Sequence, residues 1–168
     1  IQIRLVGSEM CIRDRLSSNS SLSVGSVWNP HKGHGMRNNI SYRYNNSSSS
    51  MNKLFNADYR YFRGKGEEID LSGVYSFNTQ FSIIGKYNYS FSNSRRDVED
   101  LIDTMIGIEY DSCCYSLKIV ARDYWTGVKK DNALFFEFLP KGLTTTNNKT
   151  SALLRRGISG YEDRTDYE

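Results

Sequence analysis

From Ile102 onward, Ile102, Thr104, Ile106, Ile108 and Tyr110 fall on one side of an extended chain, and Asp103, Met105, Gly107 and Glu109 fall on the other. Successive strand side chains point to opposite faces, so this run predicts a strand with one apolar face. The alternation resumes after Asp111-Ser112, with Tyr115, Leu117, Ile119 and Ala121 set against Ser116, Lys118, Val120 and Arg122. Two such runs around a short break predict a hairpin, and Cys113 and Cys114 stand at its turn. If the backbone is extended there, the two thiols point to opposite sides, an arrangement poorly suited to a bridge between them.

The same period of two recurs along the chain. Leu22, Val24, Ser26 and Trp28 form a weak face that Asn29-Pro30 breaks, and Met36, Asn38, Ile40, Tyr42 and Tyr44 form the next. Asn45 to Ser50 then reads as a polar connection. Phe55, Ala57, Tyr59 and Tyr61 lead to a turn at Gly64-Lys65-Gly66, followed by Ile69, Leu71, Gly73, Tyr75 and Phe77. The cleanest run places Phe81, Ile83, Tyr87, Tyr89 and Phe91 opposite Ser82, Ile84, Lys86, Asn88 and Ser90. Residues 92–100 are charged and patternless, and Leu134, Phe136 and Phe138 mark a last strand ended by Pro140. The tail after it shows no alternation.

This pattern predicts about eight strands of roughly nine to thirteen residues, long for globular strands and suited to tilted strands that cross a bilayer. Short and longer connections take turns, and tyrosines gather toward strand ends, as in an outer-membrane barrel with short periplasmic turns and aromatic girdles. The expected fold is therefore all-β, an antiparallel transmembrane β-barrel wall. Every connection is short enough for a hairpin, so the strands should form a meander. A soluble β-sandwich would also bury one face per strand, but it predicts shorter strands with fewer terminal tyrosines.

Composition sharpens this reading. The chain has 12 Tyr and 8 Phe, yet its mean hydropathy is −0.58, so its apolar residues are spread by alternation and not gathered in blocks. No run approaches the roughly 18 apolar residues of a membrane helix, which excludes a helical span. The net charge of +3 comes from 22 basic and 19 acidic residues scattered along the chain, which argues against a nucleic-acid partner. His31 and His34 share a loop without nearby Cys or carboxylate, so no metal site and no cofactor is expected. No nucleophile–base pair or phosphate-binding glycine loop appears, and no enzymatic activity is expected. Residues 1–15 include GSEMCIRDR, which looks like a translated sequencing adapter. They are set apart as a non-native leader, residues 16–140 as the barrel strands and 141–168 as a C-terminal tail.

The stretch GIEYDSCCYSLKIVARDY resembles the C-terminal part of LptD, the lipopolysaccharide-assembly protein family of the outer membrane. Asp131-Asn132-Ala133, Lys141-Gly142-Leu143 and Leu153-Leu154-Arg155 match that family's ending, and the resemblance covers residues 16–161. It implies the C-terminal portion of a larger Gram-negative outer-membrane barrel that inserts lipopolysaccharide into the outer leaflet. It also implies disulfides from Cys113 and Cys114 to upstream cysteines outside this chain. The implied partners are lipopolysaccharide, an LptE-like lipoprotein plug, and a periplasmic transport bridge reached through an N-terminal domain. Lys86, Asp103, Glu109, Lys118, Arg122 and Glu137 then become candidates for the lumen-facing wall. A small eight-stranded outer-membrane barrel, acting as adhesin, porin or anchor, is the alternative.

Overall fold

The computed structural model describes residues 2–6, 9–29, 34–48, 51–64, 66–91, 101–126, 129–141 and 149–161. The first three strands are β1 (Gln2–Val6), β2 (Glu9–Ser17) and β3 (Ser20–Asn29). They are followed by β4 (His34–Ser48), β5 (Met51–Phe62), β6 (Gly66–Ser76) and β7 (Phe81–Phe91). The last three are β8 (Leu101–Asp111), β9 (Tyr115–Trp125) and β10 (Lys130–Pro140). They form one ten-stranded sheet in chain order, and each strand pairs antiparallel with its sequence neighbours. The meander is the expected one, and eight strands, β3 to β10, occupy the stretch in which eight were expected. The sheet is nevertheless larger, because β1 and β2 extend it through the segment set apart as a leader.

Two details correct the sequence reading. Asn45 to Ser48 belong to β4, where they pair with Leu54 to Met51, because backbone pairing continues past the point where side chains cease to be apolar. The tail also contains a helix, α1 (Lys149–Gly157), which period-two analysis does not detect. Residues 92–100, expected to form an exposed loop, and His31 lie outside the described residues.

The strands from β6 to β10 each have 11 residues. Such a strand is roughly 36 Å long, and at a tilt of about 45° it crosses an apolar band about 25 Å tall. The two faces differ sharply. On one, Ile83, Ile106, Ile108, Ile119, Leu134 and Phe136 are exposed, with Leu134 at 73%, Phe136 at 66% and Ile106 at 64%. Near the rim formed by the short turns this face carries a chain of rings: Phe81 lies 4.7 Å from Tyr110, Tyr110 5.8 Å from Tyr115, and Tyr115 5.5 Å from Phe138. Toward the opposite rim, Tyr89 stands between Tyr87 and Phe91 at centroid distances of 6.1 and 4.7 Å. The apolar band is thus bordered by aromatics on both sides, the arrangement that interfacial girdles produce.

The other face holds the core. Leu54, Val74, Ile84, Met105 and Val120 are buried there with Leu154, Ile158 and Tyr161 from α1 and the turn after it. Leu54 pairs with Val74, Val74 with Ile84, Ile84 with Gly107 and Gly107 with Val120, so Leu54, Val74, Ile84 and Val120 lie in one row whose β8 member is Gly107, and Met105 flanks it two residues away on the same face. The helix lies on that row.

Candidate functional site

The hairpin turn between β8 and β9 closes with the amide of Ser112 donating to the carbonyl of Tyr115 at 2.9 Å. Cys113 and Cys114 occupy the bend and are exposed. The chain is not extended here, so the period-two expectation fails, and the two sulfurs stand 3.0 Å apart on one side. The two thiols share a hydrogen bond, and the Ser112 hydroxyl lies 3.9 Å from the Cys113 sulfur. These contacts hold the Cys113 thiol below its ordinary pKa, and the same thiol pairing raises that of Cys114. Lys141, just beyond β10, fastens the turn from the side. Its amide donates to the carbonyl of Cys114 at 2.9 Å, and its Nζ lies 3.4 Å from Asp111 Oδ1.

Two polar networks occupy the α1-bearing face. In the first, Lys118 is fully buried, with its Nζ 3.7 Å from both Glu109 Oε1 and Glu137 Oε1, and it donates to Ser151 Oγ at 2.7 Å. Glu137 also receives the amides of Thr150 at 3.0 Å and Ser151 at 3.4 Å, and the Ser151 hydroxyl at 2.9 Å. A carboxylate so placed meets the unpaired amides and the positive dipole end of α1. Asp103 centres the second network. Arg122 donates to it through Nε at 2.8 Å and Nη2 at 3.2 Å, and Lys86 through Nζ at 3.1 Å. Asn88 joins Glu68 and Asp70 beside them at 2.9 and 3.0 Å.

All six charged candidates named from the sequence therefore lie in two clusters, Glu109, Lys118 and Glu137 under the helix, and Lys86, Asp103 and Arg122 beyond it. Sequence reasoning missed the residues that close the first cluster, Thr150 and Ser151, and the apolar anchors Leu154, Ile158 and Tyr161. Their only trace in the sequence was a set of apolar residues, Leu54, Val74, Ile84, Met105 and Val120, on the nominally polar face. Among the described residues no group of three or more His, Cys, Asp or Glu is placed to hold a metal.

No protein-family model matches the chain. It is 32% identical over 110 residues to the LPS-assembly protein LptD of Nitrosococcus oceani, covering 64% of this chain and 14% of that protein. It is 31% identical over 159 residues to LptD of Xylella fastidiosa, covering 89% and 18%. With LptD of Pseudomonas aeruginosa it shares 28% identity over 168 residues, covering 83% and 17%. The chain spans less than a fifth of the length of these curated relatives.

Proposed function

We propose that this chain, which is related to the LPS-assembly protein LptD, is a wall segment of an outer-membrane β-barrel that delivers lipopolysaccharide to the outer leaflet. The reading is one of transport and not of catalysis. The observation that carries it is the exposed pair Cys113 and Cys114 on the short-turn rim, the periplasmic side of such a barrel. Each thiol is open to a cysteine from elsewhere in a longer chain, and the periplasm favours oxidation. In this reading the two bridges tie barrel to periplasmic domain and align the route by which the transport bridge hands over its lipid. The exposed aliphatic face meets the bilayer. The α1-bearing face, with Lys86, Asp103, Glu109, Lys118, Arg122 and Glu137, borders the lumen, where an LptE-like lipoprotein would sit.

The open sheet supports a larger barrel over the small eight-stranded alternative. Among the described strands, β1 pairs only with β2 and β10 only with β9, and a bilayer does not tolerate such unpaired edges. The test replaces both cysteines with serine in the full-length gene, then reads lipopolysaccharide at the cell surface together with mobility on non-reducing gels. Each bridge closes a long loop, worth about 4 kcal/mol in the chain-entropy model, so single replacements should be milder than the double. The double variant should lose surface lipopolysaccharide and change its mobility. Normal values of both would remove the reading.

A further inference from the structure

The exposed apolar face is not smooth. One cross-strand row on it runs Tyr44, Phe55, Gly73, Gly85, Ile106 from β4 to β8, and its two central members have no side chain. The pair Leu71 and Tyr87 walls the gap on one side, and the pair Tyr75 and Ile83 walls it on the other. The result is an apolar notch of about 670 Å³, within the roughly 300–1,000 Å³ typical of small-molecule sites. A Cβ built at Gly85 meets no atom within 4 Å, so the space over it is open.

The notch has a polar end. Lys53 and Tyr44 both line it, with Lys53 Nζ 5.2 Å from the centre of the Tyr75 ring. Asn46 pairs with Lys53 across the strands and donates to the Tyr44 hydroxyl at 3.5 Å. These groups lie beside the connection from β4 to β5, on the same rim as the cysteine turn. A cation, a hydroxyl and an amide at the rim, followed by an apolar recess toward the middle of the band, are complementary to an anionic headgroup with an acyl chain.

We propose that the notch over Gly73 and Gly85 is a lipid site that seats one acyl chain of an anionic phospholipid of the periplasmic leaflet, with the phosphate held at Lys53. The proposal rests on the membrane placement above and not on lipopolysaccharide transport. Elsewhere on this face, projecting side chains offer a chain only transient contact, whereas two adjacent glycines let it lie against the backbone. The gap also makes a direct test possible, because a Cβ at Gly85 meets no neighbour and a ring carried on it would project into the notch.

The full-length protein is placed in nanodiscs containing phosphatidylglycerol with a diazirine in its acyl chain, and labelled residues are mapped by mass spectrometry. Labelling should concentrate on Leu71, Tyr75, Ile83 and Tyr87. A zwitterionic phosphatidylcholine probe should label them less, and Lys53→Gln should cut phosphatidylglycerol labelling about fivefold, the effect of one lost surface cation. Gly85→Phe should abolish labelling at the notch, while Gly85→Ala, which leaves most of the space, should retain it. Even labelling along the whole face, or equal labelling by both probes that Lys53→Gln does not change, would overturn the site. Absence of labelling anywhere on this face would instead remove the membrane placement on which the site depends.

Discussion

Burying an ammonium completely is tolerated only where anions and acceptors reach it from several sides, and Lys118 meets that condition with Glu109, Glu137 and Ser151. Lys118→Met removes the cation and leaves two carboxylates facing a buried space. The expected loss is about 3–5 kcal/mol, read as a lower urea midpoint for the folded barrel; a loss below about 1 kcal/mol would show that the cluster is not a unit. The thiols are a second matter at this scale. With both reduced, Cys113 carries the lower pKa and Cys114 the higher, so a maleimide should label Cys113 first. As pH falls, labelling of Cys114 should fade before that of Cys113, because the reacting species is the thiolate. Superimposable pH profiles for the two, measured by mass spectrometry, would contradict this ordering of the thiols. The residue types and the hairpin were legible in the sequence; the relative direction of the two thiols was not. Strand alternation assigns sides only while the backbone stays extended, and it bends at Ser112 to Cys114.

The strands from β3 to β10 were legible because one variable, alternation of apolar and polar side chains, repeats along them; β1 and β2, in the segment set apart as a leader, were not. Helix α1 was not, for two reasons. It has nine residues, below the roughly 12–15 at which an isolated helix holds itself together, so its stability comes from contacts and not from local preference. Those contacts are spread over five strands, where each contributes a single apolar residue to a face that otherwise reads as polar. The turn after the helix depends on Gly160, whose φ of +82° suits glycine, and it presents the Ser159 carbonyl to Asn56 Nδ2 at 2.9 Å. At Gly157 a Cβ would lie 2.5 Å from Cε of Met105, the flexible end of that side chain, so the helix end packs closely on β8 and a larger residue there would displace the Met105 methyl. Leu154→Ala should cost about 2–5 kcal/mol of helix docking and Gly160→Ala about 1–2 kcal/mol. Both should make residues 149–161 a site of protease cleavage while the strands stay resistant. If Leu154→Ala left the tail as resistant as before, the apolar row would not be what holds the helix.

The whole sheet separates two surfaces by alternation alone, and the same alternation fits a membrane wall or the inner face of a soluble sandwich. What distinguishes the two is the solvent that the large exposed side chains meet. In water, a substitution at a position as exposed as Ile106, at 64%, normally changes stability by no more than about 0.5 kcal/mol, since nothing packs over it. In a bilayer the same position lies near the middle of an 11-residue strand, at the depth where an arginine costs about 2–4 kcal/mol. Near the aromatic border the cost falls to about 0–1 kcal/mol, because the side chain can reach the interface. Ile106→Arg and Tyr115→Arg, compared in the full-length barrel in lipid vesicles, should therefore differ by about 2 kcal/mol or more in unfolding free energy, with the larger loss at Ile106. Packing within the protein works against this contrast and cannot produce it, because Tyr115 loses ring contacts with Tyr110 and Phe138 while Ile106 is the more exposed of the two. Two equal and small losses would mean that water, and not lipid, covers this face, and the transport reading would lose its physical basis together with the lipid notch.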